Sequence, residues 1–336
     1  MDERLCVKGR QRLETQSTSE ETRVRQPTDF SVNSANPDRV AEELAPLDRK
    51  IGWLAVNRFT YPFLRLLAGL SRSEIDLPDV DIETSGLLGE GTILVSPKTR
   101  TGAGALILIH GGGYVMGSPL DVVPKAAFFA SHLGVPIICP KYRLSPKARF
   151  PAALDDCHHA WSALLASAKQ LSIDPGKIVV AGYSAGAGLA ANLVHRLCDE
   201  RATQPAAQML VYPMLDDRTA AGRELDRPRH RVWSNRNNRF GWEAYLGHPV
   251  GEDCERYSVA ARRNDLTGLP PTWIGVGTCD LFLDENREFA QRLANAKVDT
   301  TYVEVPGAIH GFDMAGTELG RAFSDSQANF VNRFTS

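Results

Sequence analysis

Through the middle of the chain, apolar residues come in short unbroken runs instead of alternating with polar ones. The runs are 105–109 (ALILI), 136–139 (PIIC), 177–181 (KIVVA), 207–211 (AQMLV), 272–276 (TWIGV) and 301–305 (TYVEV). Continuous apolarity over so few residues marks strands buried on both faces, as in a parallel sheet covered by helices. Two further strand candidates, 80–83 and 92–96, precede them. Longer stretches with helical character lie between or after the runs: Pro151 to Lys169, Ala185 to Asp199, Asp284 to Ala296 and Thr317 to Phe334. Alternation of the two kinds of segment predicts an α/β fold with a mostly parallel central sheet flanked by helices.

Two segments break the alternation. From Val40 to Leu70 the apolar positions Leu47, Ile51, Leu54, Ala55 and Phe59 recur near the helical period, and Pro62 is expected to break or kink that helix. From about Leu215 to Leu269 the chain is rich in Arg, Asn and Trp and has no strand pattern. Loops of such length are usually functional or disordered, so this one reads as an insertion that packs with the N-terminal helices as a helical cap over the sheet. The expected organisation is a polar extension over 1–39, N-terminal cap helices over 40–75, a main α/β domain over 76–214 and 270–336, and an inserted cap segment over 215–269.

Composition removes several function classes. A net charge of −2 over 336 residues gives no electrostatic reason to expect nucleic acid or an anionic membrane as a partner. The cysteines (Cys6, Cys139, Cys157, Cys198, Cys254, Cys279) lack C-x-x-C spacing, which argues against a zinc ribbon or a dense disulfide framework. Residues 1–39 contain no apolar signal region, and the Leu-rich stretch 47–70 is interrupted by Asp48, Arg49, Lys50, Arg58 and Arg65. The chain is therefore expected to be soluble, cytoplasmic and free of the membrane.

The chemistry sits just after the strand candidates. Gly111, Gly112 and Gly113 follow Ile109; Ser184, in Gly182-Tyr183-Ser184-Ala185-Gly186, follows Ala181; Asp280 follows Val276; His310 follows Val305. Ligands collect at the carboxyl ends of strands in such sheets, so one sheet edge gathers all four. Glycines flanking a serine in G-x-S-x-G allow a sharp strand-to-helix turn that exposes the hydroxyl. A free serine is a weak nucleophile and needs a neighbouring base, for which His310 is the candidate. Asp280 would fix the histidine tautomer and stabilise the imidazolium; Asp284 and Glu285 lie close by and are its rivals, although both suit the first turn of a helix. Gly112, Gly113 and Ala185 offer backbone N–H groups for an oxyanion. The conjunction points to a serine hydrolase.

Tyr114, Tyr183, Trp233 and Phe282 are nominated for the substrate pocket. Trp53, Phe59 and Trp242 are further aromatic candidates, against the alternative that they fill the core. The adjacent pair His158 and His159 lacks the i, i+4 spacing of helical metal ligands and reads as surface or packing residues. Gly275-Val276-Gly277 lacks the third glycine of a dinucleotide loop. No metal and no cofactor are expected.

Taken together these motifs resemble the hormone-sensitive-lipase-like (bacterial family IV) carboxylesterases of the α/β-hydrolase superfamily. The matching stretches are 110–118 (HGGGYVMGS), 142–146 (YRLSP), 150–153 (FPAA), 182–186 (GYSAG), 212–216 (YPMLD), 280–285 (DLFLDE) and 310–312 (HGF). The resemblance implies cofactor-free hydrolysis of short- to medium-chain acyl esters beneath a helical cap. It carries nucleophile, acid and base onto Ser184, Asp280 and His310, and the oxyanion donors onto Gly112, Gly113 and Ala185. It also implies a small-molecule ester as substrate; homodimers are common in the family, though no apolar stripe in this chain demands one. This chain departs from the family pattern at Tyr183, where Asp is usual, at Ala187, where a second glycine is usual, and at Lys147, where Glu is usual. Other readings keep the same machinery and change the bond or acceptor: amidase, carbamate hydrolase, thioesterase or acyltransferase. A non-catalytic receptor on this fold would typically lack the histidine that stands here as His310.

Overall fold

Eight strands form one sheet in the order β1-β2-β4-β3-β5-β6-β7-β8. They are β1 (Val80–Ser85), β2 (Thr92–Pro97), β3 (Ala105–Ile109), β4 (Ile137–Cys139), β5 (Ile178–Tyr183), β6 (Ala207–Val211), β7 (Thr272–Gly277) and β8 (Thr300–Val305). The structure is a computed structural model that describes residues 39–47, 55–70, 77–226 and 230–336. Strands β1, β2 and β4 pair antiparallel, and every pair from β4 onward is parallel. All residues of β3, β5, β6 and β7 are buried. Only a sheet covered on both faces does this, which is why those runs are continuously apolar. At the edge, β1 keeps its four central residues exposed and reads as polar.

The covering helices on the main domain are α2 (Val123–Leu133), α3 (Ala152–Ser167), α4 (Ala185–Asp199), α7 (Leu283–Asn295) and α8 (Glu318–Thr335). Four of these agree with the sequence expectation to within two residues at each end. Helix α2 is absent from it, although its buried residues Val123, Ala126, Ala127, Ala130 and Leu133 recur at helical spacing. Gly134 ends it in the left-handed conformation.

The N-terminal segment differs from expectation. Among the described residues there are a turn of 3₁₀ helix over Glu42–Leu44 that runs on into α-helical residues 45–47, a turn over 57–60, and helix α1 (Tyr61–Leu70). Asn57 accepts from the Thr60 N–H and closes the turn, so Ala55 and Phe59 do not continue a helix. Pro62 falls in the first turn of α1, where its missing N–H costs nothing. The extension over 1–38 and the residues Ile51, Trp53 and Leu54 lie outside the described residues.

The 215–269 insertion is helical, with α5 (Asp217–Ala221) and α6 (Asn235–Leu246). Ser234 caps α6, and Gly247 terminates it. The N-terminal segment packs against this insertion: the Val56 N–H donates to Asn237 Oδ1 at 2.9 Å, and the rings of Tyr61 and Phe240 are 5.7 Å apart. Among the described residues no helix is long and apolar enough to cross a membrane.

Candidate active site

Ser184 sits at the junction of β5 and α4 with φ 55° and ψ −120°, a conformation that costs a non-glycine residue about 1–3 kcal/mol. The neighbouring strand holds it there. Its N–H donates to Val211 O at 2.9 Å, and its carbonyl accepts from Met214 at 3.1 Å as well as from Ala187 and Gly188 of α4. Gly186 is required by close approach: a Cβ there would stand 2.2 Å from His110 O. The turn leaves the hydroxyl facing a cavity while the residue stays only 7% exposed.

The loop after β8 brings His310 to that hydroxyl. His310 Nε2 lies 2.9 Å from Ser184 Oγ, and His310 Nδ1 lies 2.8 Å from Asp280 Oδ2. An ionised carboxylate can only accept, so Nδ1 carries the proton and Nε2 accepts from the serine hydroxyl. Asp280, after β7, is held in turn by the Phe282 N–H, which donates to its Oδ1 at 3.0 Å. Two rings fix the imidazole plane edgewise, Tyr212 at 4.7 Å and Phe282 at 5.3 Å. The Tyr212 hydroxyl donates to Asp313, which forms a 2.8 Å ion pair with Lys125.

On the other side of the hydroxyl, Gly111, Gly112 and Gly113 line the same cavity. His110 braces this turn. Its ring stacks on Tyr142 at 4.1 Å, and its Nδ1–H donates to Gly111 O at 2.8 Å. Burial brings the His110 imidazole down to about 4, so it is neutral near neutral pH. The turn ends beneath the insertion: Gly113 has φ 59°, and a Cβ on it would meet the Trp233 indole at 2.2 Å. Ala185 begins α4, where the first N–H groups have no partner within the helix and carry partial positive charge.

The cavity has a volume of about 330 Å³ and a mainly apolar wall. Val56, Val232 and Trp233 line it from the N-terminal segment and insertion, and Met116, Tyr183 and Tyr212 line it from the main domain. Of the nominated pocket residues, Tyr183 and Trp233 therefore face it. Tyr114 does not: it stacks on Tyr245 at 4.1 Å beneath the glycine turn, buried by the insertion. Phe282 backs the imidazole and does not line the cavity. Trp242 is fully buried and packs 5.2 Å from Tyr114, while Phe59 is 75% exposed because its turn faces solvent.

The rival carboxylates are elsewhere. Glu285 accepts from the N–H groups of Leu215 and Asp216, and Asp284 is an exposed partner of Arg287. His158 pairs with Glu200 on the surface. Among the described residues no cluster of His, Cys, Asp or Glu could hold a metal ion. Sequence reasoning missed Asp121, Lys125 and Asp313; each is a single charged residue among mostly apolar neighbours, and the local pattern carries no sign of the cavity or ion pair it joins.

A family model described as alpha/beta hydrolase fold matches residues 106–314. An ethyl acetate hydrolase from Pseudomonas putida is 31% identical over 223 residues, 65% of this chain and 69% of that protein. The carboxylesterase/phospholipase LipF of Mycobacterium tuberculosis is 31% identical over 293 residues, 82% of this chain and 71% of that protein. A solved structure of a bacterial heroin esterase matches with a TM-score of 0.79 at 29% identity, covering 88% of this chain and 98% of the other. The chain belongs to the α/β-hydrolase family, in its hormone-sensitive-lipase-like branch. It is an enzyme of the esterase and carboxylesterase group.

Proposed function

We propose that the protein is a serine carboxylesterase that hydrolyses esters of short- to medium-chain acids by two-step acyl transfer. The observation that carries this reading is the continuous hydrogen-bonded chain from Ser184 through His310 to Asp280, opening onto an apolar cavity. Ser184 attacks the ester carbonyl while His310 takes its proton at Nε2, and Asp280 stabilises the imidazolium that forms. The N–H groups of Gly112, Gly113 and Ala185 receive the developing oxyanion; such donors typically contribute about 10²–10³ in rate each. Protonated His310 then delivers its proton to the leaving alcohol, and water repeats the sequence on the acyl-enzyme.

The cavity volume supports the chain-length range. About 330 Å³ is at the low end of small-molecule sites, which run from roughly 300 to 1,000 Å³. A cytoplasmic location completes the proposal. The test is steady-state hydrolysis of p-nitrophenyl esters from acetate to palmitate by wild type and Ser184→Ala. Turnover is expected on the shorter esters and to fall by at least about 10⁴-fold in the variant. A folded variant that keeps substantial turnover would remove Ser184 from the mechanism.

A further inference from the structure

Among the described residues, one lysine and one aspartate line the active-site cavity beside His310, and they are not equivalent. Lys125 is fully engaged: it forms an ion pair with Asp313 Oδ2 at 2.8 Å and donates to Asp313 O at 3.2 Å and Ser324 Oγ at 2.7 Å. Its charge is cancelled by Asp313, whose side chain is fully buried. Asp121 lies on the same wall, just before α2, and among the described residues its carboxylate is bound by its own turn. Its Oδ2 accepts from the Ser118 N–H at 2.9 Å and its Oδ1 from the Ser118 hydroxyl at 3.4 Å.

Those contacts fix the carboxylate without neutralising it. A carboxylate has about four acceptor positions, and Ser118 uses two of them. Among the described residues no Lys, Arg or His nitrogen forms an ion pair with Asp121. Arg65 directs its guanidinium to Val115 O and Ser145 O and does not line the cavity. Asp121 keeps an exposed face, and partial desolvation raises its carboxyl above the ordinary value, offset in part by the two Ser118 hydrogen bonds. Behind the nucleophile, Asp280 is a second carboxylate, joined to His310. With Lys125 and Asp313 cancelling, the described residues that line the cavity leave the Asp121 carboxylate uncompensated on an apolar wall that includes the Trp233 indole, a surface compatible with a cation.

We propose that Asp121 makes this site selective for esters carrying a positively charged group, a quaternary or protonated amine, over neutral esters of the same shape. This rests on the esterase reading above. The selectivity acts through the charge of Asp121, so it appears as a preference between isosteres and weakens with salt.

The experiment compares kcat/KM within two matched pairs. One places the charge on the alcohol, acetylcholine against neohexyl acetate. The other places it on the acyl chain, the p-nitrophenyl ester of trimethylammoniobutanoic acid against its all-carbon isostere. In wild type, at least one pair should favour the cation by roughly three- to tenfold at low salt, the size expected for one partly solvated charge pair. Asp121→Asn retains an acceptor for Ser118 and should bring that ratio to about one; because the ratio is internal to each protein, a general loss of activity cancels. In wild type the ratio should also shrink between low and high ionic strength. Turnover of the neutral esters with no charge preference in either pair, or a preference that survives in Asp121→Asn, overturns the proposal alone. Absence of turnover on every ester overturns the esterase reading and the proposal with it.

Discussion

At the strand ends, Ser184, Asp280 and His310 are carried on turns that the backbone fixes: Ser184 by hydrogen bonds to Val211 and Met214, Asp280 by its own N–H to the Gly277 carbonyl. Above them, the described parts of the 55–65 and 215–262 segments depend in part on side-chain clasps. Asp217, fully buried, holds Arg262 at 2.7 Å, Asp226 holds Arg239 at 2.8 Å, and Asn237 holds Val56. Backbone hydrogen bonds tolerate changes of side chain, whereas each side-chain clasp depends on one residue type. The strand ends thus secure the reacting atoms, and the segments above them are where the pocket can be reshaped by single substitutions.

Variants at the two levels should therefore fail differently. The largest effect is expected for Asp280→Asn, which preserves the fold but presents an amide to His310 and disturbs its tautomer. Loss of about 10³–10⁴-fold in kcat should accompany an almost unchanged melting temperature. A large drop in stability would mean that Asp280 belongs with the structural clasps instead. Gly113→Ala acts where the two levels touch, because its Cβ would press on Trp233. A fall of about ten- to a hundredfold in kcat/KM is expected, by analogy with ångström-scale misplacement. The double variant Gly113→Ala/Trp233→Ala should recover part of it; strictly additive losses would show that the two levels are independent at this contact.

The smallest effect concerns Glu285, five positions beyond Asp280. Burial raises its carboxyl well above the ordinary value, so the folded state favours the protonated form. Its contribution to stability is full below the unfolded value of about 4.3 and is lost as pH rises through the raised folded value. Glu285→Gln keeps an acceptor for the Leu215 and Asp216 N–H groups and cannot ionise. Relative to the variant, the wild-type melting temperature should fall by a few degrees as pH rises above about 4.3. Parallel melting curves across pH would show that Glu285 is not a titrating anchor of the insertion.

Much of the molecule was legible without coordinates, for reasons visible in particular residues. The runs at β3, β5, β6 and β7 are unbroken because both faces are covered. The glycines around Ser184 are there because any Cβ would strike backbone. Helix α2 follows directly on the motif-rich glycine turn, and its alanine-rich face is a weak periodic signal. In the N-terminal segment the described residues 42–47 and 61–70 are helical, as the periodicity predicts, and the turn at Asn57, which precedes Tyr61, carries no apolar signal; Ile51 and Leu54 lie outside the described residues.

What the sequence determined by itself is whatever depends on near neighbours: the strand runs, the serine turn, and the order of Ser184, Asp280 and His310 after successive strands. What only the tertiary structure decided is which of several similar side chains reaches a given point. Asp280 meets His310 while Glu285 grips the insertion; Trp233 faces the cavity while Trp242 fills the core. Asp121 acquires its place on the cavity wall from segments far away in the chain. The reason is physical: periodicity and turn chemistry are set over a few residues, whereas side-chain facing and charge compensation are set by packing between segments that the sequence leaves far apart.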